Sequence, residues 1–370
     1  MRRIFRRVTG IVALLTGMIL CISLAVIGAF VYANTSPPFS SEKAAEWEGV
    51  TLETDSVDHG AVRGAMRYTV RFDVRKGESA QSVGQRLAAA GLIRSQYFWY
   101  LLCRYYDKET VKSGSYLIEI PANQIAIHRI LVSGRQILTR VTIPEGLTLK
   151  KTAALLEEAS VCPAEEFLKA ANDPALVSRY RIPGASMEGY LYPDTYLFPS
   201  AYPAAQVVQT MADNFFTRIG EIDEKALSMP PDELNRLVIL ASIVEREYRV
   251  DEEAPVMAGV FFNRLNIGMA LQSCATVEYV ITEIQGRPHP EFLLTRDTEI
   301  RDPYNTYVRP GLPPGPICAP GPVALGAVFA PTKSAYLYFR LVDPAVGKHY
   351  FSSTLDDHIR AGTLYLKGRS

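Results

Sequence analysis

The chain has 370 residues, of which 48% are hydrophobic and 10% aromatic, and it contains five cysteines. This composition excludes a disordered, a collagen-like and a disulfide-framed protein, and the length suits about two or three domains. The 39 basic and 39 acidic residues cancel, but the only charged side chains before Glu42 are four arginines, at positions 2, 3, 6 and 7. The remainder has a formal charge of −4, which offers no basic surface for nucleic acid.

The first predicted element is an apolar helix over residues 11–32. These 22 residues carry no charge, and at about 1.5 Å of rise per residue they cross a hydrocarbon core of roughly 30 Å. The arginines precede the helix, so the preference of Lys and Arg for the cytoplasm predicts a cytoplasmic arm over residues 1–10. A cleaved signal peptide is the alternative, but its apolar region is usually shorter, about 7 to 15 residues. We therefore expect a single-pass anchor in the cell (inner) membrane, with the rest of the chain extracytoplasmic.

A linker is predicted over residues 33–65, and an internal repeat with an offset of 69 residues follows it. In the first copy the alternating run Tyr68–Val74 predicts a strand, Gly77 a turn, and apolar residues three and four apart a helix. The second copy repeats this pattern from residue 137, with its glycine at Gly146. The pattern resembles LysM-like modules, which bind N-acetylglucosamine polymers, and we assign residues 66–174 to such a domain. An ordinary α+β packing unit without a ligand is the alternative.

Residues 175–370 are expected to form a second, catalytic α+β domain. Helices are predicted over 204–219 and 231–247, a third helix begins at Asp251 and ends at Gly268, and two paired strands lie near 336–342 and 349–353. The fold class is therefore α+β, with a single N-terminal transmembrane helix.

The helix over 231–247 contains a candidate general acid. Glu245 directly follows an almost continuous apolar run, and a carboxyl group among such side chains loses hydration when it ionises, so that its pKa rises. Glu247 lies two positions on, about 200° around the helix, so the two carboxylates cannot share one face. The alternative is that both simply close an amphipathic helix among surface charges.

Several other segments carry groups that suit a sugar ligand. Tyr190 and Tyr192 lie in an aromatic run that could stack on pyranose rings, although a rigid turn facing the core is equally compatible with it. Amide, hydroxyl and guanidinium groups of the kind that recognise sugar substituents follow at Asn263, Arg264, Gln272, Ser273, Tyr304, Asn305 and Thr306. The few cysteines and histidines lack metal-ligand spacing, so we expect no metal, and a disulfide between Cys274 and Cys318 is left open.

An ordered set of motifs resembles the endolytic murein transglycosylase (YceG-like) family. The motifs are EGYLYPDTYLFP at 188–199, IVERE at 243–247, FFNRL at 261–265, LQS at 271–273, TVEY at 276–279, YNTY at 304–307, GLPPGPI at 311–317 and YLYF at 336–339. The resemblance implies cleavage of the β-1,4 bond between N-acetylmuramic acid and N-acetylglucosamine in nascent glycan strands, which leaves a 1,6-anhydromuramoyl end and terminates the chain. It also implies Glu245 as the catalytic residue, with Glu247 as a supporting carboxylate, and no cofactor.

Two positions depart from the pattern of that family. Many members have Asp-Pro where this chain has Cys274 and Ala275, and Ala319 stands where Asn or Ser is common. Since the implied mechanism needs one glutamate, we expect the first change to affect the loop or substrate contacts rather than the chemistry.

Two further hypotheses differ in class. A non-catalytic scaffold that binds peptidoglycan, alongside cell wall synthases or division proteins, would share the anchor and the repeat. A pyridoxal-phosphate lyase is disfavoured, because no Lys lies in a recognisable Schiff-base context and an extracytoplasmic domain would be separated from that cofactor.

Overall fold

A computed structural model describes residues 2–40, 50–53, 68–75, 77–106, 110–134, 136–199 and 202–367. The chain divides into two compact units, Met1–Leu138 and Thr139–Ser370. Both combine helices with short β-sheets, which confirms the predicted α+β class.

The first unit begins with helix α1, Arg2–Asn34. Its segment Leu14–Asn34 has a mean hydropathy of 2.5 and no buried residues, so by length and composition it is able to cross a membrane. The predicted apolar helix is therefore confirmed, and it ends two residues later than expected.

The rest of the first unit is a three-stranded antiparallel sheet with helices packed on one face. Its elements are β1 (Val50–Glu53), β2 (Tyr68–Val74), α2 (Ala80–Ala89), α3 (Gln96–Leu101), a π-helical turn (Leu102–Tyr106), β3 (Gly114–Ile120) and α4 (Gln124–Ser133). Alternate residues of β2, among them Val70 and Phe72, are fully buried against the helices. The period of two that predicted this strand thus reflects one buried and one open face.

The C-terminal end of α1 packs against this first unit. The rings of Phe30 and Phe98 meet edge to face at 5.1 Å, and the Arg94 guanidinium lies 4.6 Å from the centre of the Tyr32 ring. The Asn34 side chain accepts a hydrogen bond from a backbone N–H of α4 at 3.1 Å. The predicted linker from residue 33 therefore starts with residues that are held by the unit, and most of the remaining linker lies outside the described residues.

The second unit contains the remaining strands and α-helices, the first of which begins at the boundary residue Leu138, and they pack around a continuous apolar core. They are β4 (Leu138–Thr142), α5 (Leu149–Glu158), α6 (Ala164–Ala171), α7 (Pro174–Arg179), β5 (Thr195–Pro199), α8 (Ala204–Ile222), α9 (Pro231–Glu247), α10 (Ala254–Asn266), α11 (Cys274–Tyr279), α12 (Thr295–Thr298), α13 (Pro322–Phe329), β6 (Tyr338–Asp343), β7 (Lys348–Ser352) and α14 (Leu355–Lys367). Strand β4 pairs with β5, and β6 pairs antiparallel with β7. Helix α9 has the bounds predicted from the sequence.

The internal repeat is visible in the caps and turns of its helices. Ser79 and Thr148, 69 positions apart, are the N-caps of α2 and α5, and each hydroxyl accepts the backbone N–H three residues on. Gly77 and Gly146 precede these caps with φ of 77° and 74°, a conformation that favours glycine. The repeat is therefore structural and not merely compositional.

The two copies of the repeat belong to different units. The second copy, including Ile143, Leu149 and Phe167, is buried in the core that also contains α8 and α9. The assignment of residues 66–174 to one LysM-like domain stays a prediction, and the two compact units divide at Leu138, between the copies. The reason is physical: the apolar faces of α5 and α6 are covered by the second unit.

The disulfide left open by the sequence is not formed. Cys274 is exposed and Cys318 is fully buried, and both are free thiols.

Gly84 provides a test of the packing in the first unit. A Cβ atom at this position in α2 would lie 2.3 Å from Cδ1 of Trp99, whose indole N–H is fixed to the Ala80 carbonyl at 2.8 Å. Overpacking costs about 1–3 kcal/mol, more than the ~1 kcal/mol that alanine contributes to a helix. Gly84→Ala should lower the free energy of unfolding, measured by denaturation with tryptophan fluorescence. The exposed neighbour Gln85→Ala is the control, and equal stability of both variants would contradict this packing.

Candidate active site

Glu245 lies in the last turn of α9, at the end of a buried apolar segment. The helix starts with two prolines and an acidic first turn, which are typical of helix N-termini. Residues 238–244 are all buried, and Glu245 is the first side chain after them with partial exposure. The helix therefore brings a carboxyl group from the core to a surface.

The Glu245 carboxylate has one backbone donor. Its Oε2 accepts the N–H of Gly321 at 2.9 Å, and Gly321 is the N-cap of α13. Burial raises the pKa of Glu245 to about 7, since the ionised form loses hydration, whereas the hydrogen bond from Gly321 opposes this change. The carboxyl group is thus able both to donate and to accept a proton near neutral pH.

The second copy of the repeat forms a wall beside Glu245. The Gly146 N–H donates to the Ala319 carbonyl at 2.9 Å, and the Ala319 N–H donates to the Leu147 carbonyl at 2.8 Å. This pair of hydrogen bonds joins the turn before α5 to the segment before α13. Gly146 itself would place a Cβ 3.8 Å from Cγ of Glu245.

Glu145, in the same turn, is a second carboxylate that the sequence interpretation missed. A Cβ built on Gly321 would lie 2.4 Å from Cγ of Glu145, so the two residues are in close contact. The charge of Glu145 further raises the pKa of Glu245. The glycine that follows Glu145 in the repeat could have indicated a turn here, but the sequence does not show that this turn meets α9.

Arg246, the next residue of α9, hydrogen-bonds to the turn before α5 and to α11. Its Nη1 donates to the Gly146 carbonyl at 3.3 Å, and its Nη2 donates to Glu278 at 3.2 Å. The charge of Arg246 favours the ionised form of Glu245 and so lowers its pKa, but burial outweighs this effect.

Glu247 contacts a different part of the unit. Its Oε1 accepts a hydrogen bond from the Ser273 hydroxyl, and burial raises its pKa while that hydrogen bond and the nearby Arg246 and Arg264 lower it. Glu245 and Glu247 therefore have separate partners, as their angle around the helix predicted.

The segment at 272–276 is fixed to the YNTY segment by buried hydrogen bonds. The Ser273 N–H donates to the Thr306 hydroxyl at 3.0 Å, and the hydroxyls of Thr276 and Thr306 are 2.9 Å apart. The Asn305 amide donates to the carbonyls of two residues at the preceding turn. Ser273, Asn305 and Thr306 are buried, so their polar groups are used within the protein.

Gln272 differs from these neighbours. Its backbone has a φ of 52° and its N–H donates to the Thr306 carbonyl at 3.1 Å, whereas its side chain is exposed. The Gln272 amide is therefore open to solvent, unlike the buried polar groups of Ser273, Asn305 and Thr306.

Asn263 and Arg264 brace the chain that leads into β6. The Asn263 amide donates to the carbonyls of Ser334 and Tyr336 at 2.8 and 2.9 Å. The buried Arg264 donates from Nε to the Leu337 carbonyl at 2.6 Å and from Nη1 to the Leu271 carbonyl at 2.6 Å. Both side chains satisfy backbone carbonyls, an arrangement that stabilises loops.

The predicted aromatic residues divide into buried and partly buried ones. Tyr190 is 1% exposed and Tyr192 is 6% exposed, and the Tyr190 hydroxyl donates to Asn235 at 2.8 Å. These rings lie in the core and present no face to a sugar, as the alternative of a core-facing turn predicted. Tyr304 is partly buried, with its ring 5.0 Å from that of Tyr279.

Glu188 is a further buried carboxyl group that the sequence interpretation did not single out. Its two oxygens accept the Leu149 N–H at 3.2 and 3.1 Å, at the first turn of α5. Burial raises its pKa to about 8, although the backbone donors oppose this change. The first residue of the EGYLYPDTYLFP motif thus anchors the second copy of the repeat.

In the part of the chain that the structure describes, no group of three or more His, Cys, Asp and Glu side chains is placed to hold a metal ion.

The family model of the YceG-like family matches residues 72–363. The chain belongs to the YceG-like family. The matched region contains all of the second copy of the repeat, the first copy from residue 72 onward, and Glu245.

Two proteins that are similar to this chain are named endolytic murein transglycosylase. The chain is 29% identical over 330 residues to a Streptococcus pneumoniae protein named endolytic murein transglycosylase, covering 79% of this chain and 57% of that protein. A Bacillus subtilis protein of the same name is 26% identical over 320 residues, covering 82% and 87% of the two chains. The chain therefore spans little more than half the length of the Streptococcus relative.

A solved structure also resembles the chain. The crystal structure of a putative YceG-like protein from Listeria monocytogenes is 28% identical, with a TM-score of 0.53 over 80% of this chain and 99% of that one.

The two positions at which this chain departs from the family pattern, Cys274-Ala275 and Ala319, lie in different parts of the structure. Cys274 is exposed, with Sγ 3.1 Å from the Tyr307 hydroxyl, and Ala275 is buried at the start of α11. Ala319 contributes both of its backbone groups to the contact with Gly146 and Leu147. The backbone makes that contact, and the small side chain of Ala319 is buried.

Asn263 and Gln272 provide a matched test of structural and ligand-binding roles. Asn263→Ala removes two hydrogen bonds to backbone carbonyls and should lower the free energy of unfolding by about 1–3 kcal/mol. Gln272→Ala removes an exposed amide and should leave the melting temperature unchanged while weakening the binding of the glycan ligand that the sequence predicts. Thermal unfolding and glycan-binding measurements of both variants check this division. A stable Asn263→Ala variant with weakened glycan binding would instead support the ligand role first predicted for Asn263.

Proposed function

We propose that this protein is a membrane-anchored lytic transglycosylase, a carbon–oxygen lyase that cleaves peptidoglycan within nascent glycan strands. In this proposal it breaks the β-1,4 bond between N-acetylmuramic acid and N-acetylglucosamine and leaves a 1,6-anhydro end, which terminates the strand during cell wall assembly. The names of the relatives from Streptococcus pneumoniae and Bacillus subtilis support the substrate class and the reaction type.

The single observation that carries the proposal is the state of Glu245. A general acid must be protonated at the working pH, and an ordinary glutamate, with a pKa near 4.5, is ionised there. Burial brings the pKa of Glu245 to about 7, which suits a group that first gives and then takes a proton.

In the first half of the proposed reaction, protonated Glu245 gives its proton to the glycosidic oxygen as the bond from that oxygen to C1 of the muramoyl residue breaks. In the second half, the Glu245 carboxylate takes the proton of the C6 hydroxyl of the same residue as O6 bonds to C1. The enzyme ends protonated, as it began, and no water is consumed. The Gly321 N–H, 2.9 Å from Oε2, stabilises the intermediate carboxylate.

One glutamate is sufficient for this cycle. Hydrolases with two carboxylates need the second as a nucleophile or as a base for water, at about 5 to 9.5 Å from the first. Here the C6 hydroxyl of the sugar replaces water. We assign Glu145 the role of keeping Glu245 protonated, and Glu247 a supporting role through its hydrogen bond with Ser273 in the loop that carries Gln272.

The anchor and the partners belong to the same proposal. The apolar segment Leu14–Asn34 supports a single pass through the cell membrane, and the arginines before it support a cytoplasmic N-terminus. An extracytoplasmic domain would meet peptidoglycan, together with cell wall synthases or division proteins. The LysM-like interpretation of residues 66–174 is also a proposal. The turn and cap geometry that the two copies share supports a common module. The turn of the second copy lies beside Glu245, where a bound glycan strand would contact it.

Replacement of Glu245 tests the mechanism. Glu245→Gln cannot cycle a proton and should lower kcat on glycan strands by about 10²- to 10⁴-fold, with products from the parent enzyme identified by mass as anhydro ends. Glu233→Gln, at the exposed start of the same helix, should retain activity. Products with water added, or full activity of Glu245→Gln, would overturn the mechanism. A parent protein that binds glycan without cleaving it would favour the scaffold.

Replacement of Glu145 tests the electrostatics of the site. Because the active free enzyme has protonated Glu245, kcat/KM should fall as the pH rises through about 7. Glu145→Gln removes a negative charge that disfavours ionised Glu245, so the pKa of Glu245 should decrease and the falling limb should move to lower pH. Asp251→Asn should produce a smaller shift in the same direction, since its charge affects Glu245 less. A limb that stays in place, or moves to higher pH, would contradict the role of Glu145.

A further inference from the structure

The first unit presents a strip of exposed tyrosines on α3 and the turn that follows it. Tyr97 is 72%, Tyr100 44% and Tyr105 73% exposed, whereas Phe98 and Trp99, between the first two, are buried. The spacing places the three tyrosines on the outer side of this helical segment. We call these three residues the tyrosine strip.

The inner side of the same segment contacts the end of α1. The Phe98 ring, next to Tyr97, meets the Phe30 ring at 5.1 Å. Arg94, just before α3, donates from Nη1 to the Tyr32 hydroxyl at 3.0 Å while its guanidinium covers the Tyr32 ring. The tyrosine strip is thus attached directly beside the apolar helix.

The contact between Phe30 and Phe98 lies close to the C-terminal end of the apolar segment of α1. The apolar segment continues to Asn34, and Phe30, four residues earlier, lies about 6 Å before that end. A helix of this length that crosses a bilayer has its last turn in the interfacial layer. The ring of Phe98, and α3 with it, is therefore held at the level where hydrocarbon gives way to headgroups.

The attachment is fixed by hydrogen bonds rather than by a free linker. The Asn34 carboxamide oxygen accepts the Ile125 N–H at 3.1 Å, and the Ser36 hydroxyl donates to the Ala122 carbonyl at 2.6 Å. Arg94 also donates from Nη2 to the Ser36 carbonyl at 3.1 Å. These contacts tie the residues after α1 to the start of α4, so the first unit cannot swing freely about the helix end.

The chemistry of the strip matches a phospholipid interface. Tyrosine is enriched at the membrane–water boundary, because its ring is apolar and its hydroxyl is polar. The exposed Arg104 donates from Nε to the Tyr105 hydroxyl at 3.1 Å, and a guanidinium at this depth is able to pair with lipid phosphate.

We propose that the tyrosine strip lies in the headgroup layer of the membrane that α1 crosses and seats the first unit on the phospholipid surface. This inference rests on the proposed membrane anchoring by α1. The interface consists of Tyr97, Tyr100 and Tyr105 with Arg104 beside them, and its occupant is phospholipid rather than a protein partner.

Photocrosslinking of the full-length protein tests the proposal. The probe p-benzoylphenylalanine replaces Tyr97 or Tyr105 in protein reconstituted into nanodiscs of equal parts phosphatidylethanolamine and phosphatidylglycerol, and lipid adducts are detected by mass. Both positions are exposed, so the larger ring should not disturb folding, and the tryptophan fluorescence of each variant checks this. Lipid adducts are expected at both positions.

Two matched positions make the result decisive. Leu117 is exposed on the face of β3 opposite the helices and should give no lipid adduct, whereas Ile22, within α1, should give one. Adducts at Ile22 with none at Tyr97 and Tyr105 would overturn the membrane-facing strip and leave the anchor intact. Absence of adducts at Ile22 would overturn the anchor, and the strip with it, and adducts at Leu117 equal to those at Tyr97 would overturn the specific surface.

Discussion

Desolvation of one carboxyl group is the constraint on which the second unit depends. Residues 238–244 of α9 are buried on all sides, by α10 and α13 among other elements, and this is possible only because the segment is almost entirely apolar. The helix therefore delivers Glu245 into surroundings that oppose its ionisation. A more exposed helix would have left an ordinary, ionised glutamate.

The other contacts of Glu245 reduce the cost of burying its ionised form. A carboxyl group without any donor would be costly to bury once ionised, and Gly321 supplies one N–H. Gly321 allows the backbone to approach where a Cβ atom would collide with Glu145, and Gly146 supplies the positive φ of the turn beside Glu245. The site thus combines partial burial of the carboxyl group with a backbone donor, which keeps both protonation states accessible.

From the sequence, the bounds of helices and strands were predicted more accurately than the contacts between distant residues. The bounds of α9, the strand Tyr68–Val74 and the 69-residue repeat follow from local periodicity and caps, which the residues themselves carry. The roles of Tyr190 and Asn263 depended on what surrounds them, and aromatic rings or amides suit a core or a loop as well as a ligand. Glu145 was missed for the same reason, because its partner Gly321 is 176 positions away. The assignment of both copies to one domain stays a prediction, because sequence similarity between the copies does not say which core buries each of them; in the structure they are buried in different cores.

The two copies of the repeat differ in their position relative to Glu245, and this difference determines where the chain can be truncated. Where the second copy has Glu145 in its turn, the first has Lys76, so the two turns differ in charge. The turn with Glu145 lies beside Glu245, whereas the turn with Gly77 belongs to the unit that contains the three-stranded sheet. A fragment that began at residue 175 would retain Glu245 but lose Glu145, Gly146 and the backbone partners of Ala319. A fragment that keeps all of these contacts must therefore begin near residue 138, where the chain divides into its two units.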